Sequence, residues 1–485
     1  MEPHSAVIRR IRKVKTVSGS IAVQVGNYQG NRFKLAKHIG SAKDPQGISE
    51  LMAMAREYIR SRSPQLEFDF NPQSPEILFK RGIRAASGRL EAAYRYLNRI
   101  YSQVGFNRLN NRILKHLVII RVLEPASKIK SIWLLKKYFS LGYKKTTVFR
   151  ELARFPALKD RAEAAAVNYA RRHLGFDFSL VFYDVTTLYF ETHGQDELRR
   201  NGFSKDNKIN QPQILIGLVV NNTGFPVYWN IFKGNTFEGK TMIPVISAIK
   251  EKYRIGKFTV VADAGMLSAK NLAELERHGI DYLVAARAKT LKLFQAQSIA
   301  AELNQTDQKI IRRESVLYEY SAKRAAKDKA DNDKQLDKAR YYLNNPSKAA
   351  KRSKFLSPAA KNNFVINESI VKKYRLLEGV KGYQTNVQDS TDRLLVDRYQ
   401  DLWRIEQSFR IVKSDLEIRP VYHRREISIK AHVLIVFMAL CLSRVIELET
   451  GKSVKRVMDE LKDKWTITLT DDISGNTLDI TLDTA

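Results

Sequence analysis

From residue 178 onward the hydrophobic positions take on strand-like spacing. Phe178 to Tyr189 is rich in β-branched and aromatic residues. Gln213 to Val220 and Phe225 to Phe232 flank the turn Asn221-Asn-Thr-Gly224 as the two arms of a β-hairpin. A helical period over Lys240 to Tyr253 precedes an apolar run at Phe258 to Ala262, and a second over Ser268 to His278 precedes another at Tyr282 to Ala286. The elements predicted are therefore β-β-β-α-β-α-β.

The flanking regions follow other patterns. Residues 1 to about 75 join a basic start (Arg9, Arg10, Arg12, Lys13, Lys15) to the alternating Ser20-Ile-Ala-Val-Gln-Val and the helical period of Ile48 to Ile59. They predict a small basic α+β module. Residues 76–175 predict helices at Leu90 to Leu97, Arg108 to Leu123 and Ser127 to Tyr138, with Pro125 breaking the chain between the last two. This largely helical stretch is the expected DNA-binding region, although it carries no diagnostic helix-turn-helix motif. The core, opening over 176–290, is then interrupted. Residues 291–390 hold a lysine-dense piece from Lys323 to Lys361, with 12 Lys/Arg against 4 Asp, and a β-like stretch from Phe364 to Thr385. They predict an inserted β-rich subdomain placed to hold a phosphate backbone. The core resumes over 391–450, and 451–485 is expected to be a tail. Tyr399 to Lys413 reads as one continuous helix, with Ile405, Phe409, Val412 and Leu416 as its apolar stripe. Val433 to Leu442 reads as a buried helix, well short of the roughly 20 residues of a membrane span.

Charge narrows the partner. The chain carries 83 Lys and Arg against 51 Asp and Glu, a net charge of +32 over 485 residues. Such an excess favours a polyanion, because each neutralised phosphate releases condensed counterions; double-stranded DNA is the expected partner. Cys441 is the single cysteine, which excludes internal disulfides and cysteine-rich zinc sites and fits a reducing compartment. No apolar segment follows the charged N-terminus as a secretory signal requires, so the expected location is the cytoplasm of a prokaryote, beside the nucleoid.

The chemistry centres on three carboxylates. Asp184 closes Val181-Phe-Tyr-Asp184 on the first strand, and Asp263 closes Val260-Val-Ala-Asp263 on the fourth. Glu406 lies on the later helix, with Tyr399 and Lys413 seven residues to either side, each about 10 Å away on the same face. Phosphodiester hydrolysis and transfer need an activated oxygen nucleophile, a stabilised leaving oxygen and charge neutralisation, which two divalent ions supply. Hard cations call for carboxylate oxygens. Asp184, Asp263 and Glu406 are thus the candidate catalytic residues and ligands for two Mg²⁺ ions, or Mn²⁺. Lys413 is placed to reach a DNA phosphate.

The element order is that of the RNase H-like fold, with acidic residues at the first and fourth strands of a mixed α/β sheet. Asp184 in Tyr-Asp-Val-Thr-Thr, Asp263 in Ala-Asp-Ala-Gly-Met and Tyr399…Glu406-x6-Lys413 resemble a DDE transposase of the IS4 superfamily, IS1634 family. Further matches are Phe232-Lys-Gly-Asn-Thr236 with Glu238, and Phe409-Arg-Ile-Val-Lys-Ser-Asp-Leu416 followed by Arg419-Pro-Val-Tyr-His423. The resemblance implies binding of terminal inverted repeats, nicking that frees 3′-OH ends, and attack of those ends on target DNA, carried out by a homodimer in a synaptic complex. It also implies that Tyr399 contacts DNA phosphate. The family signature, Tyr-x2-Arg-x3-Glu-x6-Lys, calls for an arginine where this chain has Leu402. Arg404 lies about 200° round the helix from that point; Arg410, one turn past Glu406, is the basic side chain that could take over the contact.

Other classes fit less well. His-hydrophobe-His nuclease motifs, the Arg…His-x-x-Arg…Tyr set of tyrosine recombinases and a Walker-type phosphate loop are all missing from the sequence. A transposase-derived DNA-binding regulator without catalysis is the remaining alternative, separated from an enzyme by strand nicking in Mg²⁺.

Overall fold

A computed structural model describes residues 10–29, 32–61, 83–191, 194–202, 210–266, 268–345, 354–359, 364–419, 421–471 and 477–483. Arg9 and parts of the lysine-dense piece (346–353 and 360–361) lie outside the described residues. The chain divides into two compact units, one of residues up to Gly88 with Thr466–Leu482, the other of Arg89–Trp465 with the last three residues.

In the first unit β1 (Arg10–Lys15), β2 (Ile21–Gln29) and β3 (Arg32–Ala42) form an antiparallel sheet. Helix α1 (Pro45–Ser61) packs on it, and Val23, Val25 and Ala55 make a small buried core. The predicted α+β elements are present. Strand β4 (Ile83–Arg89) belongs to a second sheet of this unit.

The second unit opens with five helices: α2 (Glu91–Gln103), α3 (Arg112–Leu123), α4 (Lys128–Phe139), α5 (Lys145–Leu152) and α6 (Lys159–His173). Asn111 and Ser127 cap α3 and α4, their side chains accepting from the backbone N–H of Leu114 and Lys130. Next come β5 (Leu180–Tyr189), β6 (Gln213–Val220), β7 (Pro226–Lys233), α7 (Met242–Tyr253), β8 (Thr259–Ala262), α8 (Ala269–Arg277) and β9 (Asp281–Ala286). This is the predicted β-β-β-α-β-α-β order. Asn221 locks the β6–β7 hairpin: its side-chain oxygen accepts from Thr223 N, Thr223 Oγ1 and Phe225 N.

The segment expected to be a separate β-rich subdomain is built differently. It contains α9 (Leu293–Leu303), β10 (Ile310–Arg313), β11 (Val316–Tyr320), α10 (Ala322–Asn344), β12 (Leu356–Pro358), β13 (Phe364–Ile366), α11 (Glu368–Leu376) and β14 (Val380–Thr385). Strands β10, β11 and β14 extend the central sheet, whose full order is β10-β11-β14-β9-β8-β5-β6-β7. Strands β5, β8 and β9 are parallel and the other pairs antiparallel. The lysine-dense piece is mostly the 23-residue α10, of which Asn332 and Ala339 are the buried residues. The β-like stretch from Phe364 to Thr385 is interrupted by α11, capped by Asn367, whose side chain accepts from Ile370 N.

Tyr399 to Lys413 is not one helix. It comprises α12 (Asp392–Gln400), α13 (Trp403–Arg410) and a π-helical turn, Ile411–Asp415. At the break the backbone bonds tighten to i→i+3: Leu402 N to Tyr399 O, Arg404 N to Asp401 O and Ile405 N to Leu402 O. Asp401 holds the turn by accepting from Arg404 Nε at 2.9 Å, and Leu402 is buried. At the other end the helix widens, Leu416 N bonding to Ile411 O across five residues. The even two-turn spacing of Tyr399, Glu406 and Lys413 is therefore lost on both sides.

Helix α14 (Glu426–Thr450) is longer than the predicted apolar run and includes buried His432 and Arg444. Length and composition alone would let it cross a membrane, yet 94% of its most apolar window is buried within the protein. It packs against α3, α2, α6 and β7, so the helices and the sheet share one hydrophobic core. Residues after 450 are not a plain tail: they form α15 (Val454–Lys462), β15 (Lys464–Asp471) and β16 (Thr477–Asp483), the strands pairing in the order β16-β15-β4.

Candidate active site

Strand alternation separates Tyr183 from Asp184. Tyr183 is fully buried and its hydroxyl donates to Thr241 Oγ1 at 2.7 Å. It passes β6 at Gly217, where a Cβ would lie 2.6 Å from the tyrosine oxygen. Asp184 must then face the opposite side of the sheet, and it accepts from Val185 N at 2.7 Å. Parallel pairing of β5 with β8 ends at Tyr183 and Ala262, and Asp184 and Asp263 are the next residues along each chain. Asp263 is exposed just past β8 and accepts from Ala264 N at 2.6 Å. Helix α13 packs on β5 and β6 through buried Ile405 and Phe409, which leaves Glu406 exposed.

Tyr399 ties these groups together. Its hydroxyl is pushed above the usual phenol range by burial, then by the charges of Asp263, Glu406 and Asp184. All three carboxylates are thus near enough for their charges to act on this one phenol. Asp263, Glu406 and Tyr399 line a cleft of about 1100 Å³, whose lining also includes Arg324, Lys381 and Arg393. Asp184 is not part of that lining. Behind Tyr399, the Tyr383 ring lies 4.8 Å away, centroid to centroid, and its hydroxyl donates to Glu319 Oε2 at 2.9 Å. Glu319 is only 3% exposed, with Arg393 at 3.8 Å.

As ligands the three carboxylates are hard oxygen donors, Asp184 in the middle of β5, Asp263 just past β8 and Glu406 on α13, the chemistry that suits Mg²⁺ or Mn²⁺. Among the described residues no three His, Cys, Asp or Glu side chains gather closely enough to hold one ion. A fourth carboxylate is near: Glu238 Oε2 lies 3.9 Å from where a Cβ on Gly265 would sit, and with Asp184 it helps raise the Tyr183 hydroxyl, after burial.

Residues 175–442 match the family described as the transposase DDE domain. The chain belongs to this family. No curated protein matches the transposase in sequence. Among solved structures, it resembles the piggyBac transposase synaptic complex with hairpin DNA at 11% identity, over 72% of this chain and 68% of that one, with a TM-score of 0.35. It resembles the Mos1 transposase paired-end complex with left transposon end at 12% identity, over 48% and 66%, with a TM-score of 0.16. At these scores the likenesses decide nothing further.

Within this DDE domain the other predicted residues are spread out. Arg410 is exposed at the end of α13 and Lys413 half-exposed in the π turn; neither lines the cleft. Leu402, in place of the signature arginine, is 7% exposed and lines it. Arg404 is engaged with Asp401 and does not substitute. The sequence match includes Glu238 but assigns it no role, and it does not extend to Glu319, Tyr383 or Arg393. Glu238 was findable in Asn-Thr-Phe-Glu; the other three depend on pairing of β11, β14 and α12 that no local pattern announces.

Proposed function

We propose that this protein is an IS4-superfamily transposase, of the IS1634 family, with an RNase H-like core. It binds terminal inverted repeats, cleaves DNA at the element ends and joins the freed 3′-OH ends to target DNA, acting as a homodimer in a synaptic complex. The observation that supports this most is that Asp263 and Glu406 line one cleft together with Arg324, Lys381 and Arg393, with Asp184 on the strand paired to β8.

Asp184, Asp263 and Glu406 would hold two Mg²⁺ ions, or Mn²⁺. When bound, such ions supply a deprotonated oxygen nucleophile and neutralise charge at the phosphoryl group. The chain's own part is positioning. Arg324, Lys381 and Arg393 face the strand's phosphates, and Glu319 holds Tyr383, which props Tyr399 against the carboxylates. In cleavage the water oxygen bonds to phosphorus and the bond from phosphorus to the 3′ oxygen breaks. In joining, the new 3′-OH attacks a target phosphodiester and releases a target 3′-OH. Arg410 and Lys413 are assigned to DNA flanking the cleft.

The test is nicking of a plasmid carrying the DNA that flanks the reading frame, in Mg²⁺. Asp184→Ala, Asp263→Ala and Glu406→Ala should each abolish nicking and leave DNA binding intact; nicking retained by any one removes that residue from the site. A second reading, a regulator that binds without cutting, draws on Leu402. It predicts binding by the unaltered chain with no nicking in either Mg²⁺ or Mn²⁺.

A further inference from the structure

Away from the cleft, a notch of about 340 Å³ lies between α6 and the end of α2 with its following 3₁₀ turn, Phe106–Leu109. Arg108, Arg161, Arg172 and His173 line it with the amides of Asn107 and Asn168, and no carboxylate does. The acids nearby are engaged elsewhere. Asp160 pairs with Lys252, Glu163 with Lys159 and Lys252, and Glu449 with Arg99. Among the described residues, none of Arg108, Arg161 and Arg172 has an acidic partner, whereas Arg95, Arg99 and Arg154 around them do. Arg161 commits one donor to the Arg108 carbonyl at 2.6 Å, which fixes its guanidinium against the turn.

A cation in the last turn of a helix is commonly explained by the helix dipole, and that accounts for Arg172 and His173. It does not account for Arg161, in the first turn of the same helix. Spacing says more. Asn168 and Arg172 follow Arg161 by 7 and 11 residues, within about 20° of one face. They form a stripe about 16 Å long at 1.5 Å per residue. A free phosphate would neutralise one end of such a stripe. A DNA strand, with a charge every 3.4 Å along the helix axis, would meet its whole length.

We infer that this notch is a second DNA-binding site, in which Arg108, Arg161 and Arg172 contact phosphates spaced along one strand of duplex DNA outside the catalytic cleft. The inference rests on the reading of the protein as one that binds DNA. It is sequence-independent, so the probe is a generic 20-base-pair duplex, and the readout is the dependence of affinity on salt for the full chain. Arg108→Ala with Arg172→Ala removes two exposed cations and no buried contact. It should lower the slope of log K against log salt by about 1–2, at about 0.9 per phosphate contact. Replacing both by lysine should restore most of the slope. Arg154→Ala, which removes an arginine already paired with Glu151, should leave it unchanged. The proposal is overturned if the double alanine variant keeps the unaltered slope, or if Arg154→Ala lowers it equally. Competition by millimolar inorganic phosphate at constant ionic strength, abolished in the double variant, would reassign the notch to free phosphate. A chain that binds no duplex at all would overturn the DNA reading itself.

Discussion

His116 offers a measurement of how firmly the helical layer is packed. It lies on α3, 1% exposed, its Nε2 3.0 Å from the Tyr94 hydroxyl and its Nδ1 2.6 Å from that of Tyr143. Both hydroxyls could accept from a charged ring, so the hydrogen bonds do not forbid protonation. Burial does, helped by the charges of Lys115 and Arg112, and together they lower the imidazole from 6.5 to about 4. The base is depressed in the folded state, so between these values the unfolded chain takes the proton more readily. Stability is unaffected above about pH 6.5, falls as pH drops toward 4, and then levels. Between pH 7.5 and 4.5 the loss from this one residue is about 2–3 kcal/mol. His116→Gln keeps a donor and an acceptor but does not titrate. Guanidinium unfolding at both pH values should show the unaltered chain losing about 2–3 kcal/mol more than the variant. An identical pH dependence in the two proteins would refute the assignment.

Two further perturbations reach other parts of the chain. Glu163 is fully buried with Lys159 and Lys252 each at 2.7 Å; Glu163→Gln leaves Lys159 without a counter-charge and Lys252 with Asp160 alone, and should cost about 3 kcal/mol in unfolding, whereas a loss under about 1 kcal/mol would make the cluster a solvated one. Lys413→Ala should slow end nicking about tenfold, the value of one charged contact of about 1.4 kcal/mol, with the Mg²⁺ dependence unchanged; equal rates would reduce Lys413 to a surface charge.

The strands of the core were readable because β5, β6, β8 and β9 are buried on both faces and stand out as apolar runs bounded by turn residues. Asp263 was readable for the same reason, since it ends such a run; Asp184 instead interrupts one, in the middle of β5. The extension was not. Strands β10 and β11 have only four and five residues, too few for a period, and α10 is polar on most faces, so its pattern read as charge alone. The break at Asp401 and Leu402 contains neither glycine nor proline; it arises from Leu402 entering the core and from the Asp401–Arg404 pair, both tertiary effects. The notch arginines come from separate segments, and only packing of α6 against the turn after α2 unites them.

The late position of α14 in the chain has a consequence for synthesis. About 140 residues separate Asp263 from Glu406, and α14, the central element of the shared core, follows only after that. At roughly 5–20 residues per second, the ribosome needs roughly 7–30 s to pass from the second carboxylate to the third. During that interval the sheet face that receives α13 and the helical surface that receives α14 are both uncovered. A chain still attached to the ribosome therefore holds two of its acids and lacks the glutamate, and one released before residue 426 would expose the apolar surfaces that attract chaperones and proteases. Cutting competence and solubility arrive together, with the last helices, so an unfinished copy is poorly equipped to nick the DNA that encodes it.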